Sequence, residues 1–404
     1  MLMKFIKDPV HGYVEVPESL LPLLDSPPVQ RLRHIRQLGF SYLVYPGANH
    51  TRFEHALGAV HLARLMCSHL ALDQSDVNLA TAAALLHDVG HGPFSHTTEP
   101  LMREWSGRGH DDIGPFLASG PLAGPLEAAC LDPREVAAVI GGTHPLSPLI
   151  HGDLDVDRMD YLQRDAHYTG VPYGTVDAPR LIKSCILEPE GMVIDENGIN
   201  AAESLLIART LMRPAVYYHH VSRIASSMLL LALQEHREEG GAGAADNLLA
   251  TDDAGLLQAL ARSRSATARE LAGRLTLRRL YKRAVYVGGD RVNPQALQSD
   301  LSLRKMRRLG MEIAEMAGRS PAEVIVDIPP VPADIMTAVR VRYGGTTSRL
   351  EDLSPLVHTL NRTRRVQWRM GIYAVPEAVP DVARAATEVL HVKRATTQDR
   401  LVVD

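Results

Sequence analysis

The chain has 404 residues, 45% of them hydrophobic and 22% charged, which is ordinary for a globular protein with a large core; the length suits two or three domains, or one helical domain with appendages. A formal net charge of -4 supplies no global basic field, which argues against nucleic acid as a partner while leaving room for a local phosphate pocket. Cys67, Cys130 and Cys185 are isolated and suggest neither a disulfide framework nor a thiolate zinc site, no apolar run is long enough to span a bilayer, and Met1 to Val10 lack a signal-peptide pattern, so no membrane is expected and a cytoplasmic setting is.

Lys4 to Val16 reads as an extended segment with a turn at His11-Gly12, and Tyr13 to Val16 alternates like a short strand. Pro17-Glu18 opens a helix through Leu24. Asp25 to Pro28 stops it and can cap a second helix, Val29 to Gln37. Arg31, Arg33, His34 and Arg36 on that helix form either a solvated basic face or a phosphate-facing one, and the charge pattern by itself favours the solvated face. Asn49-His50-Thr51 leads into a helix with an apolar stripe of Val60, Leu62, Ala63, Leu65 and Met66. Its His55 stands one turn after Arg52, which puts an imidazole and a guanidinium on one face.

Ala83 to His96 is the densest stretch. An apolar helix with Leu85 and Leu86 ends in His87 and Asp88, and Gly90 can release it in the left-handed conformation that glycine tolerates. An imidazole beside a carboxylate suits Zn, Fe, Ni or Mn, but two donors do not make a site. A lone pair of this kind is more often a surface dipeptide. The cluster of His87, His91 and His96 argues against that, with His87 and His91 spaced to share a helical face. Glu99 to Trp105 reads as helix. His110 and Asp111 then fall at a glycine-rich helix start, as a loop with an N-cap or as a mobile acid/base pair over the site. Gly120 to Pro125 reads as a loop and Asp132 to Ile140 as a helix.

Ile150 to Gly170 is the second dense region. As a helix it brings Asp157, Asp160/Tyr161 and Arg164/Asp165 to recurring positions, which makes Asp157 a credible distant ligand. Gly191 to Asn200 is expected to form a hairpin turning at Asn197-Gly198. Ala202 to Leu233 is a long helical stretch with a kink expected at Pro214, and its Tyr217 reads either as core or as a substrate-stacking ring. Glu238 to Asp246 reads as a flexible joint. Beyond it, helical patterns alternate with short strands at Glu323 to Ile328 and Val366 to Val375, without a His/Asp cluster.

Five stretches resemble the HD-domain phosphohydrolase superfamily, and more narrowly its deoxynucleoside triphosphate triphosphohydrolase branch. They are Lys4 to Gly12, Gln30 to Arg33, Tyr45 to His55, His87 to His96 and Asp155 to Tyr161. The resemblance is strong over the first half and weak over the second. It implies His55, His87, Asp88 and Asp157 as ligands of one divalent metal ion per subunit, with additional Mg arriving on the nucleotide. It implies Arg52 and Arg158 as phosphate contacts, Arg158 standing where Lys is usual, and His91 with His110 as the proton-handling pair, Asp111 standing where Glu is usual. Gln37, His96, Tyr161, Asp165, Arg209 and Tyr217 match substrate-pocket positions. Lys4, Asp25, Gln30 and Arg33 match a guanine-nucleotide effector site, although Lys7 departs from the usual Asn there.

The expected fold is mostly α: an HD-domain helical core with small β-hairpins over residues 1–237 and a smaller α+β region over 238–404 for packing, oligomerisation or regulation. The expected activity is metal-dependent hydrolysis of deoxynucleoside triphosphates to deoxynucleoside and triphosphate, in a homo-oligomer, dimer or tetramer. The alternatives are hydrolysis of another nucleotide or phosphoester, and a nucleotide-binding regulatory scaffold with an idle site.

Overall fold

The computed structural model describes residues 3–117, 120–241, 245–292 and 302–392. It is mostly helical with small sheets, as expected. The chain forms two compact units, each assembled from three stretches: 1–219, 243–258 and 334–361 in the first, and 220–242, 259–333 and 362–404 in the second. The expected single boundary at 237/238 falls at the end of helix His220–Glu238. Of the expected joint over 238–246, Gly240 and Gly241 turn the chain and residues 242–244 lie outside the described residues.

In the first unit, strands β1 (Met3–Asp8) and β2 (Gly12–Pro17) form an antiparallel hairpin. Helix Pro27–Arg31 continues as a 3-10 turn through His34 and stops at Ile35, short of the expected Gln37. Ile35 is extended there because its carbonyl accepts the Arg52 N–H and Arg36 bridges to Thr51, so tertiary pairing overrides helix propensity. Helix Arg52–His69 starts on a capping box in which the Glu54 carboxylate accepts from both the Thr51 N–H and its hydroxyl. Helix Gln74–Leu86 is capped by Asp73 and is buried continuously from Leu79 to Leu86, as a helix apolar on all sides must be. Helix Val156–Thr169 is capped by the buried Asp155.

Helices Arg52–His69 and Val156–Thr169 cross at Gly58. A Cβ there would stand 1.8 Å from Asp160 Oδ1 and 2.4 Å from Arg164 Nη2, so only glycine lets the two backbones approach. Pro214 does interrupt the long C-terminal helical stretch. Helix Ile199–Met212 passes into a π-helical segment, Arg213–Tyr217, before the chain re-enters helix at His220.

The hairpin expected at Asn197-Gly198 turns instead at Pro189-Glu190, between β3 (Cys185–Glu188) and β4 (Gly191–Asp195). Gly191 takes a φ of +115°, and Asp195 uses its carboxylate to cap the Gly198 N–H, which spends the Asn-Gly pair on a helix start. In the second unit β5 (Lys282–Gly288) and β6 (Val324–Asp327) flank a central strand, as described below. Strands β7 (Arg340–Tyr343) and β8 (Thr346–Arg349) extend the first unit's sheet in the order β3-β4-β7-β8. Strand β9 (Arg369–Ala374) is central to the second unit's sheet, β5-β9-β6. There the buried Asp327 accepts from Arg223 and from the Tyr373 hydroxyl.

Gly58→Ala is expected to lower unfolding free energy by about 3 kcal/mol, since the added methyl displaces a buried ion pair. Urea denaturation checks this, and a midpoint equal to wild type would show that the helix crossing tolerates a Cβ.

Candidate metal centre and active site

Three helices converge on one buried point. Arg52–His69 delivers His55, the end of Gln74–Leu86 delivers His87 and Asp88, and the first turn of Val156–Thr169 delivers Asp157. His55 Nε2 lies 3.2 Å from His87 Nε2, 3.0 Å from Asp157 Oδ1 and 3.6 Å from Asp88 Oδ2. His87 Nε2 lies 3.5 Å from Asp88 Oδ1 and 3.7 Å from Asp157 Oδ1. Metal–donor bonds of about 2.1 Å put neighbouring donors about 3.0 Å apart at right angles and about 3.4 Å apart at tetrahedral angles, so the spacing of His55, His87 and Asp88 fits a single ion, with Asp157 beside both imidazoles.

The hydrogen bonds behind the rings fix their tautomers. His87 Nδ1 faces the Ala84 carbonyl at 2.8 Å and His55 Nδ1 faces Asp160 Oδ2 at 2.7 Å. Each Nδ1 therefore carries a proton, and the two Nε2 atoms face each other across a gap that a shared cation, a proton or a metal ion, would fill. Without a metal ion the surrounding carboxylates favour protons on both imidazoles, His87 being pushed up against the effect of burial by Asp88 and Asp157. Burial disfavours the His55 imidazolium, but Asp157 and Asp160 outweigh it and push its titration up to about 10. Asp157 stays well below the usual carboxylate range despite burial, because His55 and His87 face it. Asp88 does so despite burial because of Arg52 and the histidines beside it.

Asp160 is the support that sequence reasoning did not assign. Fully buried, it accepts from His55 Nδ1, from His11 Nε2 at 2.6 Å and from Arg164 at 2.9 Å twice, and Arg164 also binds Asp8 at 2.8 Å. The signal was present in the spacing: Asp157, Asp160 and Arg164 share one helical face.

A cavity of about 120 Å³ opens on the cluster, lined among others by Gln37, Arg52, His91, His96, His110 and Tyr161. Three buried polar atoms of residues that line it, Gln37 Oε1, Arg52 Nη2 and His91 Nδ1, have no hydrogen-bond partner among the described residues. Orphans of this kind are rare in native structures and mark where a polar ligand belongs. Arg52 is otherwise held by Asp88 Oδ2 at 2.6 Å and the Ser95 hydroxyl at 2.8 Å.

The second histidine cluster is organised by Glu99, a residue that sequence reasoning missed although it follows His96 by three positions. Its carboxylate accepts from His110 Nδ1 at 2.7 Å and His96 Nδ1 at 2.9 Å, which holds it well below the usual range against the opposing effect of burial. His91 stacks on His110 with ring centroids 4.0 Å apart. His91, His96, Glu99 and His110 lie close enough together to hold an ion, but Glu99 already occupies the Nδ1 atoms of His96 and His110, which fits proton handling. Burial, reinforced by Arg52, holds His91 neutral.

Other expected residues are engaged away from the cluster or exposed. Asp111 lines it, but with an exposed side chain in a loop before helix Gly114–Leu117, and the carboxylate on His110 is Glu99. Arg158 turns back onto Asp155 and the Gly152 carbonyl. Asp165 is buried and accepts from His50 at 2.8 Å and the Tyr217 hydroxyl at 2.9 Å, while Arg209 meets Asp153 at 3.3 Å. Gly90 is not left-handed; its hydrogen stands where a Cβ would meet the His110 carbonyl at 2.1 Å, so the glycine serves a close approach. Lys4 is exposed on β1 and Asp25 is exposed after its helix. Gln30 bonds the Leu24 carbonyl and accepts from Arg33, which covers the Phe53 ring.

Fold and site together define a class, and comparison with known proteins agrees with it. The HD domain model matches residues 52–165 and the HD associated region model residues 176–401. The chain belongs to the HD-domain phosphohydrolases, a metal-dependent family, and resembles the SAMHD1 branch. It is 34% identical over 384 residues to the uncharacterized protein MJ1154 of Methanocaldococcus jannaschii, covering 94% of this chain and 81% of that one. It is 32% identical over 228 residues to the deoxynucleoside triphosphate triphosphohydrolase SAMHD1 of Gallus gallus, covering 45% of this chain and 36% of that one. A crystal structure of a phosphohydrolase from Bacteroides thetaiotaomicron matches with a TM-score of 0.72 and 26% identity, covering 93% of this chain and all of that one. Among the described residues no helix is long and apolar enough to cross a membrane.

His87→Ala should bind no stoichiometric divalent metal, and Asp160→Asn should bind it about 10- to 100-fold more weakly, because it no longer holds His55 in the ligating tautomer. Competition against a chelator, followed by elemental analysis, checks both; unchanged affinity in Asp160→Asn would show that His55 needs no orienting carboxylate.

Proposed function

We propose that this protein is a metal-dependent phosphohydrolase that cleaves deoxynucleoside triphosphates to the deoxynucleoside and inorganic triphosphate. The observation that carries the reading is the cavity. It places an unpaired Arg52 donor, a four-donor His/Asp cluster and a carboxylate-held histidine pair around one small polar space. The SAMHD1 relatives carry that activity in their names, which supports the substrate class without extending to the two thirds of their length that this chain does not match.

His55, His87, Asp88 and Asp157 would hold one divalent transition metal, and Zn, Fe, Ni and Mn all suit two imidazoles with two carboxylates. Once bound, such an ion supplies Lewis acidity toward a phosphoryl oxygen and a lowered pKa for water. The rest of the chemistry belongs to the chain. Arg52, already fixed by Asp88 and Ser95, has Nη2 free for a phosphate oxygen and neutralises charge there. Water attacks the α-phosphorus, the bond to the 5′ oxygen breaks, and the proton that the water loses passes to solvent and restores the one that a doubly protonated histidine spends on the leaving oxygen. His96 or His110, its Nδ1 proton anchored on Glu99, gives that oxygen a proton from the opposite ring nitrogen. Neutral His91 stacks on His110 and packs the pair against the cavity. Gln37 Oε1 is free to accept from a sugar hydroxyl, and a site built this way rejects analogues that lack the hydroxyl.

An assembly with a guanine nucleotide bound near Asp25, Gln30 and Arg33 remains part of the proposal, as do a homo-oligomer and Mg carried by the substrate. Asp25 has an exposed carboxylate able to accept two base donors.

Metal-loaded protein incubated with dGTP and dATP, with and without added GTP, should release triphosphate and deoxynucleoside, resolved by ion-exchange chromatography. Arg52→Ala should retain metal while losing about 100-fold or more in turnover. Release of orthophosphate with a diphosphate product would replace this reading with that of another phosphoester hydrolase.

A further inference from the structure

The turn that carries the histidines is strained. Phe94 and Ser95 are consecutive non-glycine residues in the left-handed region, with φ of 57° and 56°. Strain of this sort persists only where surroundings over-determine it. Phe94 stacks on Phe40 with centroids 4.3 Å apart, and the Ser95 hydroxyl donates to the Arg36 carbonyl at 2.7 Å while accepting from Arg52. The remaining restraint comes from far along the chain. The buried Phe94 N–H donates to Asp253 Oδ1 at 2.6 Å, and Asp253 Oδ2 accepts the Arg36 N–H at 3.1 Å and pairs with the Arg36 guanidinium at 3.5 Å.

The same distant stretch reaches the other end of the turn through Arg31. Its guanidinium donates to the Thr251 carbonyl at 2.8 Å, to the Val89 carbonyl at 3.1 Å and to the His91 carbonyl at 2.6 Å. Residues 251–253 thus grip the His87–His96 loop at both its ends. Asp253 is 2% exposed and both of its oxygens are spent on backbone N–H groups of this region, so it does not face the cavity.

We infer that Asp253 is a positioning residue: it holds the Phe94–Ser95 turn in its left-handed conformation and so sets where Arg52, His91 and His96 stand in the cavity. Its part in catalysis holds only if the hydrolase reading above holds; its grip on the turn does not depend on that reading. The residue belongs to the stretch 243–258, which the chain threads into the first unit between two stretches of the second. The C-terminal half therefore contributes an essential support to a site whose reacting groups all lie in the first half. Asparagine is the discriminating substitution. It keeps the shape, but its NH2 must face one of two N–H donors, so one buried amide loses its acceptor.

Full-length, metal-loaded wild type, Asp253→Asn and Asp253→Ala would be compared by hydrogen–deuterium exchange, metal content and turnover of deoxynucleoside triphosphate. The expected result is exchange about tenfold faster or more in peptides covering 89–98, with exchange in helix Gln74–Leu86 and metal content unchanged, and kcat lowered about tenfold or more at similar KM. If Asp253→Ala does not fold, Asp253→Asn decides. Exchange in 89–98 equal to wild type in Asp253→Asn, or raised equally across the chain, would overturn the inference and leave Asp253 as the start of its own helix. If wild type turns over no phosphoester, the hydrolase reading fails while the exchange result still decides the grip on the turn.

Discussion

One buried carboxylate carries more of this structure than any other group. Asp160 accepts from His55, His11 and Arg164 at once, and Arg164 carries the network on to Asp8. The N-terminal hairpin, the helix of His55 and the helix of Asp157 are thereby joined at a single charge. Removing one partner of a buried ion pair typically costs about 3–5 kcal/mol, because the other is left uncompensated. The arrangement exists only because Gly58 presents no side chain at the crossing. Glycine in a helix interior costs about 1 kcal/mol relative to alanine, a local loss outweighed by what the close approach permits. Helix packing and the candidate metal site are therefore one problem here: the contact that docks the two helices also fixes which nitrogen of His55 carries a proton.

From that anchor the cavity divides into two ends. At one end, two imidazoles and two carboxylates with inward lone pairs attract a cation. At the other, Glu99 holds two histidines by their Nδ1 protons and leaves the opposite nitrogens to the cavity. Arg52 stands between, tied to a carboxylate of the first end and a hydroxyl of the strained turn, with one donor free. The neutral His91 ring separates the two ends without adding a further positive charge beside Arg52.

Much of this is legible in the sequence because it is local. The capping pattern before Arg52, the all-apolar helix before His87 and the helical spacing of Asp157, Asp160 and Arg164 each declare themselves within a few turns. What is not legible is long-range. The spacing pairs Asp160 with Arg164, but its contact with His11, and that of Glu99 with His110, arrive only with the fold. Asp253 lies more than a hundred residues from the turn it grips, and no periodicity connects them. Two of the three misplacements have the same origin. Helix Pro27–Arg31 ends early because Ile35 pairs with Arg52, Asn197-Gly198 becomes a helix start because Asp195 caps it, and Gly90 is required by a carbonyl that arrives from residue 110. At Ile35 and Gly90 tertiary contact outcompetes a local preference worth about 1 kcal/mol or less, and at Asn197-Gly198 a local cap outcompetes a turn.

The central claim, that His55, His87, Asp88 and Asp157 surround one ion, is tested most directly by X-ray absorption on protein loaded with a single equivalent of Zn. The account predicts a first shell of nitrogen and oxygen at about 2.0–2.2 Å with the outer-shell scattering of two imidazoles and no sulfur. A shell containing sulfur, or one without imidazole scattering, would contradict it.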